Sequence, residues 1–344
     1  MESGAYQPNG DDLRIARDRI KPWIFITPLL RAEGLERGGR KVYLKPENLQ
    51  RTGSFKVRGA FNALGSLSAE QKARGVVAYS SGNHGAAIAF AAQEMGIQER
   101  GERYKCTVVM PERANPVKIT RIEALGAEII HCGNSVQDRQ AKAETIAKAD
   151  GRELIPSFDD PRIICGQGSL GAEIMDQWMG IPSRTRRLYM VAGPVGGGGL
   201  MAGTSASLRA RGFGGRLVGI EPEDANDTQR SFARGECVTI DSPMTICDGL
   251  RATSPGKLTF PIMKKCMEGI VTATDDEVMF AVSWLMNEMK LLVEPSGAAS
   301  VAAWLSGALD NPDHDSKNPE FAGDVVLILS GGNVDPKIAM SWVQ

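Results

Sequence analysis

Four consecutive glycines at 196–199 stand between an apolar run and a helical pattern. Their backbone N–H groups can converge on an anion, and the positive end of the following helix adds to the attraction. No Lys-Ser/Thr pair follows the glycines, and the G-x-G-x-x-G register is absent, so neither common nucleotide-binding motif is present. A plain strand-to-helix turn is the alternative, but it needs one glycine rather than four. The run therefore predicts a phosphate-binding loop.

Lys56 has an unusual position, in the first turn of a predicted helix and directly after Gly53-Ser54-Phe55. The helix dipole disfavours a cation there. A neutral amine or an imine would avoid that penalty, and imine formation is a known role of lysine. The alternative is an ordinary solvated lysine.

Two further loops follow predicted strands with small polar residues. The first is Ser-Ser-Gly-Asn-His-Gly at 80–85, whose hydroxyl, amide and N–H groups suit a carboxylate or a ring oxygen; the alternative is that a serine merely caps the helix. The second is Ser-Gly-Gly-Asn at 330–333, which offers a hydroxyl to a ligand's ring edge or forms a simple turn. Because ligands bind beyond the carboxyl ends of parallel strands, these loops are expected to form one site.

An acidic turn at 219–227 contains Glu221, Glu223, Asp224 and Asp227. Hard cations take oxygen ligands, and a turn can present carboxylates together with a backbone carbonyl. By its spacing alone the segment is compatible with a solvated acidic loop or with a structural cation site. Magnesium, calcium, manganese and potassium all remain open.

The elements that position these loops alternate between strand and helix along the whole chain. This pattern predicts an α/β fold with two open, twisted, mostly parallel sheets and helices on both faces. Predicted strands cover 41–44, 75–79, 107–110, 128–131, 189–192, 217–221 and 324–329. Predicted helices cover 11–21, 55–67, 82–95, 117–125, 136–149, 169–178, 200–211, 276–290 and 296–309. Irregular segments are expected at 1–10, 97–104 and 311–319.

Composition excludes several other classes of function. The 344 residues carry a net charge of -1, which gives no reason to expect nucleic acid or an anionic membrane as partner. No apolar run is long enough to span a bilayer, and the polar N-terminus does not resemble a signal peptide. The six cysteines form no C-x-x-C pair, which favours free thiols in the cytoplasm over a zinc or redox motif.

Together these motifs resemble the fold-type-II pyridoxal-phosphate (PLP) enzymes, the group of serine and threonine dehydratases and serine racemase. The resemblance runs from about residue 11 to residue 343. It is carried by Lys-Pro-Glu-Asn at 45–48, Thr-Gly-Ser-Phe-Lys at 52–56, Ser-Ser-Gly-Asn-His-Gly at 80–85, Gly-Gln-Gly at 166–168, the glycine run, Glu-Pro at 294–295 and Ser-Gly-Gly-Asn-Val-Asp at 330–335.

The resemblance implies a tryptophan synthase β-like fold with PLP in the cleft between two domains. The large, PLP-binding domain would comprise 1–74 and 160–344, and the small, substrate-capping domain 75–159. Lys56 would be the Schiff-base lysine, and Ser81 a second acid/base on the opposite face of the substrate. The cofactor would also contact Phe55, Asn83, Gly196, Gly197, Gly198, Gly199, Leu200, Glu294 and Ser330. The substrate would contact Ser80, Ser81, Asn83, His84, Arg139 and Phe158, and the cation would be bound by Glu221, the carbonyl of Ala225 and Asp227.

The activity that this resemblance implies is β-elimination from a serine, threonine, hydroxyaspartate or phenylserine type of substrate, giving a 2-keto acid and ammonia. A neutral serine at the pyridine nitrogen weakens the ring as an electron sink, so loss of a β-leaving group competes well with transamination. Phe158 and Ala252 stand where the racemase has Asn and Ser, which favours dehydration over racemisation. Arg139 would suit a second substrate carboxylate, although a solvated arginine is the alternative. Serine racemase and a β-replacing synthase remain as alternatives, and a homodimer is expected.

Overall fold

The computed structural model describes residues 6–80, 82–114, 116–133, 135–181, 187–310, 323–335 and 338–339. Two sheets account for the strands in these ranges. The strands are β1 (Leu30–Arg31), β2 (Val42–Pro46), β3 (Val76–Tyr79), β4 (Cys106–Met110), β5 (Glu128–His131), β6 (Glu153–Leu154), β7 (Leu188–Pro194), β8 (Arg216–Pro222), β9 (Gly269–Ala273) and β10 (Asp324–Leu329).

The larger sheet has six strands in the order β1-β2-β10-β7-β8-β9, and the smaller has four in the order β5-β4-β3-β6. Every pairing is parallel except that of the short edge strand β1 with β2. The predicted fold class, with two mostly parallel sheets, is confirmed.

Helices cover both faces of these sheets. They are α1 (Gly10–Ile20), α2 (Lys56–Gly65), α3 (Ala69–Arg74), α4 (Asn83–Arg100), α5 (Pro116–Ala124), α6 (Val136–Asp150), α7 (Pro161–Met179), α8 (Gly199–Ala210), α9 (Asp227–Arg234), α10 (Thr259–Cys266), α11 (Asp275–Met289) and α12 (Pro295–Leu305). None of the helices within the described ranges is long and apolar enough to cross a membrane.

Strand β10 shows why the large sheet is covered on both faces. All its residues are buried, and successive side chains point to opposite sides. Val325, Leu327 and Leu329 pack in a core with α11 and α12, whereas Val326 and Ile328 pack in a second core with α7, α8 and α10. A strand that is apolar throughout is typical of a parallel sheet between two helical layers.

The small sheet has its own core, and α2 contributes to it. Val57, Ala60, Phe61 and Leu64 of α2 pack with α4 and with the apolar residues of β3 and β4. Helix α2 also packs on α7. The helix that begins with Lys56 therefore lies between the small sheet with α4 on one side and α7 on the other. The predicted domain division at 74/75 and 159/160 remains a prediction.

The differences from the predicted elements lie mainly at edges and ends. The pattern missed β1, β6 and β9 and the helices α3, α9 and α10. Helix α7 begins at Pro161 rather than at 169, because Asp160 accepts a bond from the Arg162 N–H and caps the helix start. The prediction of an irregular 97–104 was partly wrong, since α4 continues to Arg100 and ends on the left-handed Gly101. The predicted irregular segment 311–319 lies outside the described residues.

Candidate active site

The loops singled out by the sequence meet at the carboxyl ends of four strands. Residues 47–55 follow β2, residues 80–82 follow β3, residues 195–198 follow β7 and residues 330–335 follow β10. Parallel pairing places the carboxyl ends of β2, β10 and β7 side by side at one edge of the large sheet.

Lys56 is the first residue of α2, and its approach is fixed by the strand-end loops. Thr52 and Gly53 both adopt left-handed conformations, with φ of 60° and 68°. Ser54 then forms an isolated bridge with Gly331, and the Phe55 N–H donates to the Ser330 carbonyl at 3.1 Å. The β10 loop therefore holds the chain immediately before the lysine, and Ser330 itself is buried.

The Lys56 side chain is half-buried and donates from Nζ to the Ser157 carbonyl oxygen at 2.8 Å. Burial lowers the pKa of Lys56 to about 8, although the Glu294 carboxylate acts in the opposite direction. A substantial fraction of Lys56 is therefore the neutral, nucleophilic amine near physiological pH. The adjacent Phe55 ring is half-buried, with its centroid 5.1 Å from Nζ.

Asn83, at the start of α4, belongs to a hydrogen-bonded chain across the cleft. Its Nδ2 donates to Oε1 of Glu294 at 2.6 Å, and its Oδ1 accepts from Nδ2 of Asn333 at 2.7 Å. Glu294 is buried, and burial followed by the nearby Asp248 carboxylate raises the pKa of Glu294 to about 7. Any side chain at Gly331 would collide with the Glu294 carboxylate. These contacts connect the α4, α12 and β10 ends.

His84 follows Asn83 but points its ring into the protein. It is buried, and burial followed by the charge on Lys56 lowers the pKa of His84 to about 3. The ring is therefore neutral, and its contact of 2.9 Å with the Ile155 carbonyl requires the proton on Nε2. A substrate contact of His84 remains a prediction, but it cannot come from a cationic ring at neutral pH.

The remaining substrate residues predicted in this region are partly described. Ser80 is half-buried and its Oγ accepts from the Gly82 N–H at 3.2 Å, so it also shapes the turn into α4. The predicted acid/base Ser81 lies outside the described residues. Arg139 is half-buried on α6 beside Asp138 and Cys132, and burial lowers its pKa. Its contact with substrate remains a prediction.

The glycine run forms the connection from β7 into α8. Gly198 has φ of 90°, in the left-handed region that favours glycine, and no side chain within α8 or its cap residue bonds to the free N–H groups at this helix start. Leu200 is buried in the core that Val326 and Ile328 form with α7, α8 and α10. Phe158 lies across the loop, since a Cβ built on Gly197 would enter its ring and one on Gly199 would come 2.9 Å from its Cβ.

Two consecutive residues, Ser157 and Phe158, connect the lysine to the glycine loop. The Ser157 carbonyl receives the Lys56 ammonium, and the next residue, Phe158, covers the glycine loop. A buried amine of lowered pKa thus lies near an uncapped, glycine-lined helix start. This arrangement fits a cofactor with an aldehyde at one end and a phosphate at the other, as PLP has. Lys56 would hold the aldehyde carbon, and the N–H groups of residues 196–200 the phosphate.

The predicted cation ligands lie together at the end of β8. Glu221 and Asp227 are fully buried, as is Ala225. Glu221 accepts from the Thr228 and Gln229 N–H groups at 2.9 and 2.7 Å, whereas neither Asp227 oxygen has a described hydrogen-bond partner. Burial followed by the Asp227 charge raises the pKa of Glu221 to about 8, and burial raises that of Asp227 to about 7.

Within the described ranges, no three His, Cys, Asp or Glu side chains cluster so as to hold a metal. The predicted set needs two carboxylates and a carbonyl, so the cation remains a proposal.

Sequence reasoning missed three contributors to the site. The Ser157 carbonyl that receives Lys56 is a backbone group and has no sequence signal. Asn333 lies in the Ser-Gly-Gly-Asn motif, and its amide next to two glycines was the signal that could have found it. Asp159 lies in Ser-Phe-Asp-Asp-Pro at 157–161, where only Phe158 had been given a role.

Known proteins share this architecture over nearly the full chain. A family model described as pyridoxal-phosphate dependent enzyme matches residues 20–331. The L-threo-3-hydroxyaspartate ammonia-lyase of Saccharomyces cerevisiae is 37% identical, over 96% of this chain and 94% of that protein. A catabolic L-threonine dehydratase of Escherichia coli is 36% identical, over 94% and 93% respectively. The solved structure of maize serine racemase has a TM-score of 0.88 at 31% identity, covering 98% of this chain and 97% of that one.

Proposed function

This chain belongs to the pyridoxal-phosphate dependent enzyme family, and we propose that it removes water and ammonia from a β-hydroxy amino acid to give a 2-keto acid. The observation that carries the proposal is the buried Lys56 amine, whose pKa is lowered to about 8 and whose ammonium form is held by a neutral carbonyl. Relatives that eliminate from hydroxyaspartate and threonine support the same reaction class.

When bound, PLP supplies an aldehyde that captures amines and an electron-withdrawing ring next to the substrate Cα. Lys56 would hold the aldehyde and, when not bonded to it, would accept the substrate Cα proton at Nζ, a task to which its lowered pKa is suited. The Ser157 carbonyl then stabilises the resulting ammonium. Asn83 and Ser330 are proposed to orient the ring, and Ser80, Asn83 and the His84 backbone to bind the substrate carboxylate.

The Asn83–Glu294 contact would place a titratable carboxyl group behind the residue that is proposed to meet the cofactor ring. Glu294 has a pKa raised to about 7, so it exchanges a proton with small changes in its surroundings. We propose that Glu294 acts through Asn83, to which it is bonded at 2.6 Å, and thereby sets the orientation of the Asn83 amide.

The test is the release of ammonia and keto acid from serine, threonine, hydroxyaspartate and phenylserine as separate stereoisomers. Elimination from at least one of them is expected. The exposed Arg113, in the loop after β4, provides a control. A preference for hydroxyaspartate that disappears in Arg139→Met but not in Arg113→Met would assign Arg139 to the second carboxylate. No keto acid from any substrate, with a new amino acid formed only when a thiol is added, would instead identify a β-replacing synthase.

Racemisation is the second candidate, because maize serine racemase has nearly the same fold. We propose that Ser81 serves the face of the substrate opposite Lys56. Ser81→Ala should then reduce the reaction of D-serine, and any interconversion of L- and D-serine, more than the dehydration of L-serine. Equal losses with both enantiomers would leave Ser81 with a binding or capping role.

Three further parts of the proposal concern the whole molecule. Residues 1–74 with 160–344 would bind the cofactor, and 75–159 would cap the substrate. The buried, unpartnered Asp227 carboxylate supports a structural cation bound by Glu221, Ala225 and Asp227. Exposed apolar side chains such as Phe25, Ile26 and Met244 support a homodimer, and six free cysteines support a cytoplasmic location.

A further inference from the structure

Asp159 connects the segment beside Lys56 to the turn that leads into α10. Its carboxylate accepts from three successive backbone N–H groups, those of Lys257 at 3.0 Å, Leu258 at 2.8 Å and Thr259 at 3.2 Å. A carboxylate bonded to three N–H groups at a helix start is a strong, directional anchor. No side chain at position 256 could coexist with it, because a Cβ on Gly256 would collide with the Asp159 carboxylate.

The turn at 256–259, which Asp159 binds, also holds the glycine loop. The Gly256 N–H donates to the Gly197 carbonyl at 3.2 Å, and Oγ1 of Thr259 donates to the same oxygen at 2.7 Å. One carbonyl of the loop is therefore fixed by two donors, and both belong to the turn that Asp159 binds.

The direction of that carbonyl determines the direction of a neighbouring N–H group. The peptide between Gly197 and Gly198 is planar and trans, so its N–H points away from its C=O. Because the Gly197 carbonyl is turned toward 256–259, the Gly198 N–H must point to the opposite side. The left-handed φ of 90° at Gly198 then begins α8.

We infer that Asp159 is a positioning residue, which through the turn 256–259 aims the Gly198 N–H at the cofactor's phosphate. Its neighbours Ser157 and Phe158 contact Lys56 and the glycine loop, so Asp159 also fixes the spacing between the two ends of the cofactor site. The inference rests on the proposed role of residues 196–200 as the phosphate loop.

The test compares the binding of PLP and of pyridoxal, which lacks the phosphate, to apoenzyme. Both ligands need the aldehyde site at Lys56, so an effect on Lys56 or on overall folding cancels when the dissociation constant of pyridoxal is divided by that of PLP. This ratio measures how much the phosphate contributes to binding. Asp159→Asn should reduce this ratio by about threefold to tenfold, which is the effect of misplacing one hydrogen bond. Thr259→Val should reduce it similarly, whereas Thr259→Ser, which retains the hydroxyl, should not.

Asp160→Asn is the matched control, because Asp160 undergoes the same change one residue away but caps α7 and pairs with Arg162. It should leave the ratio unchanged. Gly198→Ala tests the loop itself, and it should lower the ratio strongly.

A lowered ratio in Gly198→Ala with wild-type ratios in both Asp159→Asn and Thr259→Val would overturn the role of Asp159 and leave the phosphate loop intact. A wild-type ratio in Gly198→Ala would overturn the loop assignment, and the inference with it. No preference for PLP in the wild type would refute the cofactor itself.

Discussion

Two lysines, the fully buried Lys45 and the half-buried Lys56, have opposite electrostatic environments in this fold. Lys45 on β2 donates to the Thr27 carbonyl at 2.7 Å and to Glu173 and Gln177 at 2.9 Å each. Lys56 donates to one neutral carbonyl. Burial lowers the pKa of both, but Glu173 directly opposes this at Lys45, whereas the Glu294 charge at Lys56 leaves a pKa of about 8.

Lys45 belongs to a buried network that balances its charges. Arg58 donates to Glu47 and to Glu173 with both ends of its guanidinium, at 2.7–2.9 Å, and Thr27 donates to Glu47 at 2.6 Å. Two cations and two carboxylates therefore neutralise each other between β2, α2 and α7. Arg58 lies two residues after Lys56, so the two side chains leave α2 on different faces.

The comparison shows how one helix combines stability with reactivity. The paired charges hold α2 in place, because an ion pair with complete hydrogen bonding offsets the cost of burying its charges. Loss of one member would leave the other charge buried without compensation. Lys56 has a carbonyl rather than a carboxylate as its hydrogen-bond partner, and its lowered pKa makes the neutral amine more accessible for chemistry.

The largest expected effect is on activity, in Lys56→Ala. Keto-acid release should fall by at least about 10²–10⁴-fold, because the proton acceptor is lost along with the covalent hold on the cofactor. Thermal stability of the apoenzyme should not fall, since a poorly compensated buried amine is removed. Peptide mapping after borohydride reduction should label Lys56 in the wild type. Lys72→Ala, in an ion pair on α3, is the control, and a labelled peptide without Lys56 would reject the assignment.

Breaking the paired network should affect stability instead. Arg58→Leu leaves Glu47 buried without its cation, so the free energy of unfolding should fall by about 3–5 kcal/mol. Arg51→Leu removes a partly exposed partner of Glu94 and should cost less than about 1 kcal/mol. Urea unfolding of the apoenzymes measures both. Equal losses in the two variants would show that the buried network is not special.

The pH dependence of cofactor capture should report the unpaired lysine. Only neutral Lys56 attacks the aldehyde, so the rate at which apoenzyme captures PLP should rise with pH and reach its half-maximum near pH 8. Glu294→Gln should move the midpoint lower, because the carboxylate stabilises the ammonium. A midpoint near the usual lysine pKa of about 10.4 would contradict the burial argument.

The same shift has a consequence for stability, with a definite sign. The folded state loses its Lys56 proton near pH 8, and the unfolded state near about pH 10.4, so the unfolded state binds more protons between these values. The contribution of Lys56 to the free energy of unfolding of the apoenzyme should therefore rise as pH increases through that window. Lys56→Met should lack this contribution.

The smallest expected effect concerns the buried acids. Glu173 has two cationic partners, but Asp227 has no described hydrogen-bond partner. If a cation fills that role, chelation should lower the melting temperature by about 2 °C or more, and one added cation species should restore it. Asp227→Asn should lose this response, whereas Asp224→Asn on the same turn should retain it. An unchanged melting temperature under every cation would reject the site.

Local sequence was sufficient for the fold class, and it singled out Lys56 as a candidate for chemistry. The alternation of long strands and helices predicts parallel sheets, and loops after such strands must meet at one edge, which is why the glycine run and Ser330 could be assigned to one site. Strands of two residues, such as β1 and β6, carry too little pattern to be predicted.

Tertiary structure decided which groups became partners. Lys56 meets Ser157 across 101 residues, Asn83 meets Glu294 across 211 and Arg58 meets Glu173 across 115. The turn that leads into α10 is held by Asp159, about a hundred residues earlier, which accepts from the N–H groups of residues 257–259. Residue type determines what a side chain can donate or accept, but the packing of α2 against α4 and α7 determines that Arg58 is paired with carboxylates and that Lys56 donates to a carbonyl.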